Sequence, residues 1–124
     1  MKDCLVKSYA AVAAIAAYTL VNWGDADRTV AKAVDASKPL VGVTGIVGAD
    51  NAGDIVDVTR CGLPEVKLGG PVARGDRITA DADGHGVKAD PGVGVTAYYF
   101  GFAEVSGVAG DIIEVMPAPG SIKG

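Results

Sequence analysis

Apolar and polar residues alternate with a period of two along most of this chain, the spacing of β-strands that turn one face toward a core. The clearest case is TAYYFGFAEV at residues 96–105. TVAKAV (29–34), with Val30 and Val34 set against Lys32, predicts a half-exposed strand, and Pro39 opens another, LVGVTGIV (40–47). LPEVKLG (63–69) predicts a short strand with Glu65 and Lys67 outward. In RITA (77–80), Arg77 and Thr79 alternate with Ile78 and Ala80. The DADG that follows (81–84) predicts a hairpin turn with its glycine in the left-handed position. GDADR (24–28) is a turn, because aspartate side chains bond nearby amides and glycine supplies positive φ; DASK (35–38) is another, and DPGVGV (90–95) is a loop. Residues 8–23, SYAAVAAIAAYTLVNW, are ambiguous. Alanine favours a helix with Leu5, Tyr9, Val12 and Ala16 on one face, while the alternation toward Asn-Trp-Gly favours a strand. The preferred expectation is an extended N-terminal arm leading into a strand at 18–23.

One phrase occurs twice: AGDIVDV at 52–58 and AGDIIEV at 109–115. The repeated unit is a strand, a glycine-rich connection, an Ala-Gly-Asp turn and a second strand. A positive-φ glycine, an amide-capping aspartate and a β-branched pair returning to the core solve a folding problem and carry no chemistry. In the first copy Ile55 is expected to point inward with Asp57 on its parity, and Val56 and Val58 to take the other face.

Eighteen glycines and six prolines spread over 124 residues punctuate many short elements and predict one all-β domain. The net charge of −4 repels phosphate backbones, and Arg28, Lys32 and Lys38 are interspersed with Asp25, Asp27 and Asp35, so no nucleic-acid partner is expected. Cys4 and Cys61 lack CxxC or CxxH companions, which argues against zinc-finger chemistry; two unpaired thiols in a reducing cytoplasm are expected. The opening MKDCLVKSYAAVAAIAAYTLV has lysines before an apolar run, yet Asp3 and the weak, alanine-rich run oppose a signal peptide. The run is also too short for a membrane span, and no membrane partner is expected.

The remaining motifs favour bland roles. DADGHG (81–86) matches half of a calcium loop, but Gly92 stands where the bidentate glutamate belongs, so a turn and no metal are expected. Arg74-Gly75-Asp76 spells an adhesion tripeptide, but it precedes an apolar strand as Gly53-Asp54 and Gly110-Asp111 do, so it too is expected to be a turn. His85 sits between glycines with no serine at nucleophile spacing, and neither a P-loop nor a dinucleotide motif is present, so no catalytic residue and no cofactor are expected. Of the aromatic residues, Tyr98, Phe100 and Phe102 share one parity and predict core, while Tyr99 is the better contact residue.

The succession AAIAAYTLVNWG, KPLVGVTG, AGDIVDVTRCGLPEVKLGGPVARGDRITADADGHGV and FGFAEVSGVAGDIIEV resembles the capsid cement, or head decoration, proteins of tailed phages and prophages, over roughly residues 10–120. The resemblance implies a small β-sandwich or barrel, jelly-roll-like, with an arm at 1–17, a β-rich domain at 18–120 and a tail at 121–124. It implies no enzyme activity, a place on the outer surface of a virion after synthesis in a bacterial cytoplasm, and two partners: the major capsid protein and further copies of the chain, as homodimer or homotrimer. Tyr9, Val12, Ile15, Tyr18, Trp23 and Tyr99 are the expected contact residues. A cement bridges joints between shell subunits. By size scaling a chain of this mass exposes about 6,100 Å², and a standard contact takes about 800 Å² per partner. Several contacts therefore fit on one protomer, and a mean hydropathy of +0.31 is high for a free monomer. The alternative function is a virion-displayed module that binds carbohydrate or a receptor through the aromatic run 98–102.

Overall fold

The computed structural model describes residues 6–124 and is all-β there. Five strands close a barrel: β1 (Val6–Ala11), β2 (Leu20–Trp23), β3 (Thr29–Lys32), β4 (Leu40–Thr44) and β5 (Ile55–Thr59), in the spatial order β1-β3-β2-β4-β5. Pairing of β1 with β5, Val6 opposite Thr59 through Ala10 opposite Ile55, shuts the barrel. β1 runs parallel to β3, and the other pairs are antiparallel. The second half is an antiparallel sheet of β6 (Glu65–Lys67), β7 (Arg77–Ala80), β8 (Gly86–Lys88), β9 (Thr96–Ala103) and β10 (Ile112–Lys123), in the order β6-β10-β9-β7-β8.

Two apolar clusters explain the runs in the sequence. Tyr9, Ala11, Val21, Val30, Val41, Val56 and Val58 belong to one buried cluster, drawn from all of the barrel strands. Leu20, Leu40 and Val43 belong to a second, shared with Val66, Ile78, Phe100 and Val115 of the sheet. Neighbours Leu20 and Val21 thus serve different cores, and every residue of β4 is buried. A strand covered on both faces cannot alternate, so LVGV reads as a continuous apolar run.

The Gly-Asp phrase is one physical unit, built three times. In turns 51–54, 73–76 and 108–111 the aspartate carboxylate accepts the N–H three residues earlier, at 2.8 to 3.0 Å. The aspartate N–H returns a bond to the carbonyl of that same residue. Gly53, Gly75 and Gly110 hold φ of 87°, 91° and 93°, the left-handed position of a type II turn. Each turn then clasps a single residue of the neighbouring segment by two backbone bonds: Ala11, Ala103 and Leu68 respectively. Arg74-Gly75-Asp76 is therefore a structural turn, as its context predicted. The hairpin at 81–84 also forms, with Gly84 at φ 75° joining β7 to β8. In the DASK turn Asp35 accepts the hydroxyl and the amide of Ser37, which hold its carboxyl below the usual range.

Four expectations change. The first residues of the chain do not all form an arm outside the domain, because β1 is a wall of the barrel and Tyr9, Ala11 and Ile15 are buried. Alanine-rich sequence has small side chains that fit between crowded strands as well as along a partner's surface, and local pattern cannot tell the two apart. The part of the arm at 1–5 lies outside the described residues. Second, Ile55 is 67% exposed, and Val56 and Val58 face the core. Third, two expected strands end early: LVGVTGIV stops at Thr44, leaving Ile46 and Val47 exposed in a loop, and TVAKAV stops at Lys32, leaving Val34 exposed while Val30 is buried.

The fourth change concerns the cysteines. Cys61 is disulfide-bonded, against the expectation of unpaired thiols; Cys4 lies outside the described residues. Cysteine spacing along the sequence carries no local signal of such a bond. Reduction, or Cys61→Ser, will lower the stability of the fold by about 2–4 kcal/mol. Urea unfolding followed with and without reductant measures this, and an unchanged midpoint would contradict it.

Candidate docking surface

The six expected contact residues separate into three groups. Tyr9 and Ile15 are each 2% exposed and therefore cannot meet a partner in the folded chain. Ile15 forms a bridge with Ala49, and the Tyr9 hydroxyl accepts a bond from the Arg60 guanidinium at 3.2 Å. Val12 is half-buried, with its N–H on the carbonyl of Val30. Tyr99 is also half-buried. Its ring lies 6.0 Å from that of Phe102, and the Arg77 guanidinium covers both rings at 5.5 and 5.7 Å.

Trp23 and Tyr18 remain, and the structure connects them. Trp23 is 51% exposed, backed edge-on by Tyr9 at 5.9 Å and covered by the Arg60 guanidinium at 5.7 Å. Such a cation–π contact holds an aromatic ring in place at a wet surface. Arg60 also borders a groove of about 610 Å³ with Cys61, Leu63, Met116 and Pro119. Cys61 and Leu63 continue into an adjoining depression that Tyr18 and Ile46 line. Cys61, Gly62 and Leu63 are shared by the two depressions, which together run from Arg60 and Met116 to Ile46 and Tyr18, and Trp23 stands beside their Arg60 end.

The backbone places these groups firmly. Tyr18 has a φ of 55°, rare for a bulky residue, and both halves of the molecule hold it there. Its N–H donates to Gly45 of the barrel, and its carbonyl accepts from Lys67 of the sheet. Ile46, Leu63 and Met116 are 77%, 49% and 44% exposed. Sequence reasoning missed these three. The available signal was Ile46-Val47 bracketed by Gly45 and Gly48, and Leu63 between Gly62 and Pro64: apolar residues at positions where turn chemistry forbids a strand.

His85, the single histidine, lies beside Asp81 and Asp83 in the β7–β8 turn. No helix in the described residues is long and apolar enough to cross a membrane.

The molecule is a small all-β protein: a closed five-stranded barrel joined to a five-stranded sheet, with an apolar groove where the two meet. Its fold is that of the N base of the head fibre gp8.5 of bacteriophage phi29, as seen in a crystal structure, with a TM-score of 0.70 over 94% of this chain and 95% of that one. The two sequences are 20% identical, so the likeness is one of fold. No protein-family model and no curated protein matches the sequence.

Proposed function

We propose that this chain is a non-enzymatic structural protein of a phage head, which docks on the outer surface of the capsid and stabilises contacts between major capsid protein subunits. The observation that carries the proposal is the fold shared, nearly end to end, with the base of a phage head fibre. The groove from Arg60 to Tyr18, with Trp23 beside it under the Arg60 guanidinium, is the docking face. It presents apolar side chains around a fixed aromatic residue and an arginine, the composition of an interface centre. The partner surface carries complementary apolar knobs and an acidic group for Arg60. Further copies of the chain, as dimer or trimer, would multiply modest individual contacts by bridging neighbouring shell subunits.

The carbohydrate-binding alternative draws less support. Three of the four rings it would use are engaged within the fold, since Phe100 is fully buried and Tyr99 and Phe102 pack with Arg77, which leaves Tyr98.

Co-sedimentation with shells assembled from the major capsid protein of the same genome tests the proposal. The chain is expected to pellet with the shells, and Leu63→Asp is expected to weaken binding about tenfold or more, the scale of a lost interface anchor. Leu63 is half-exposed, so its fold is expected to survive. No binding by the unaltered chain would remove the capsid role. Binding indifferent to Leu63→Asp would place the interface elsewhere.

A further inference from the structure

We infer that the β7–β8 turn is a binding site for a divalent metal ion of the zinc class. Asp81, Asp83 and His85 each offer one donor atom, and these atoms lie within 4.8 Å of one another. The needs of the turn are met by one oxygen alone. Asp81 Oδ1 accepts the N–H groups of Asp83 at 2.8 Å and His85 at 3.0 Å. Among the described residues, no hydrogen bond or ion pair engages the Asp83 carboxylate or the His85 ring. A hairpin turn explains Asp81 and Gly84. It brings a second carboxylate and the only imidazole beside the first without giving either side chain a role in the turn. Two carboxylates at that separation repel by about 1 kcal/mol even in water.

An independent feature surrounds the donors. A Cβ at Gly69 would lie 2.0 Å from Asp81 Oδ2 and 3.0 Å from the His85 Cβ, and the Gly69 N–H donates to the Gly86 carbonyl at 2.9 Å, so the backbone of the neighbouring segment lies directly against the turn. The turn is held against the barrel as well, because the Leu20 N–H donates to the Gly84 carbonyl at 2.9 Å. The donors are thus carried by fixed backbone, which lowers the ordering cost of binding. Asp50 and Lys32 line the cleft beside Asp83 and His85. Lys32 opposes a cation there, and Asp50 offsets it.

The donor set selects the ion. Two carboxylate oxygens and an imidazole nitrogen suit zinc, which is satisfied by three protein ligands and one open position. Calcium takes six to eight oxygens, and the glutamate of a calcium loop is replaced by Gly92. The open position is available to water or to a group on a neighbouring surface. The inference stands apart from the capsid proposal, since it uses neither the groove nor the fibre likeness.

Isothermal titration of the full, oxidised chain with a zinc salt tests it; Cys61, being disulfide-bonded, does not compete as a thiolate. One zinc ion per chain is expected. His85→Ala and Asp83→Asn are each expected to weaken binding at least about tenfold, since even losses around a ligand cost 10–100-fold. Both side chains can be changed without touching the backbone bonds of the turn, and circular dichroism verifies the fold. Calcium in place of zinc is expected to bind at least about tenfold more weakly. No saturable zinc binding, zinc binding unchanged in His85→Ala, or equal affinity for calcium would each overturn the inference.

Discussion

A chain lacking residues 1–11 will not fold. Removing them takes β1 out of the barrel, and with it the partner of β5 along five paired positions and of β3 along two. Tyr9 and Ala11 leave the barrel cluster, and the turn at 51–54 loses Ala11, the residue it clasps. The loss of one large buried aromatic side chain costs about 3–5 kcal/mol by itself. The opened ladder adds to this, and the total reaches the net stability of a typical domain, about 5–15 kcal/mol. The expected result is a chain without a cooperative thermal transition. If the truncated protein instead melts cooperatively near the temperature of the full chain, β1 is dispensable and the barrel is not closed in the way described.

The second large effect is expected at Phe100. It is fully buried on β9 and belongs to the cluster that joins Leu20, Leu40 and Val43 of the barrel to Ile78 and Val115 of the sheet. Phe100→Ala leaves a cavity at the place where the two halves share a core, and the expected cost is about 3–5 kcal/mol. Val93 is the matched control. It is 98% exposed, and Val93→Ala should change stability by no more than about 0.5 kcal/mol. Urea midpoints for the two variants provide the comparison. A Phe100→Ala midpoint equal to that of the control would mean that barrel and sheet do not depend on a common core.

The two predictions mark different degrees of legibility. Phe100 was readable as core because TAYYFGFA keeps a strand period, although Tyr98 and Phe102, on its parity and also expected as core, are only half-buried. The hairpin at 81–84 and the outward Glu65 and Lys67 were readable for the same reason: turn chemistry and alternation are local. The three Gly-Asp turns were readable too, since a glycine with positive φ and a capping aspartate carry their geometry within four residues. β1 was not readable as a barrel wall. Its residues, VKSYAA, satisfy a strand in a sheet and a strand lying on a partner equally well, and only pairing with β5 distinguishes them.

The candidate docking face was legible only in fragments. Trp23 and Tyr18 could be named as contact residues because large aromatic side chains anchor interfaces. That Arg60, Leu63, Met116 and Ile46 connect them follows from the seam between barrel and sheet, to which segments far apart in sequence contribute. The disulfide at Cys61 belongs with these features. Cysteine spacing along the sequence does not record it.

By itself the sequence determined the class of fold, most of the places where the chain turns and single core residues such as Phe100, because each is set by backbone preference and by alternation over a few positions. The tertiary structure alone decided that β1 closes a barrel, that Ile55 faces out while Val56 faces in, and that a groove runs from Arg60, beside Trp23, to Tyr18. Those outcomes depend on which distant segments lie side by side, and burial is a property of that arrangement rather than of any residue.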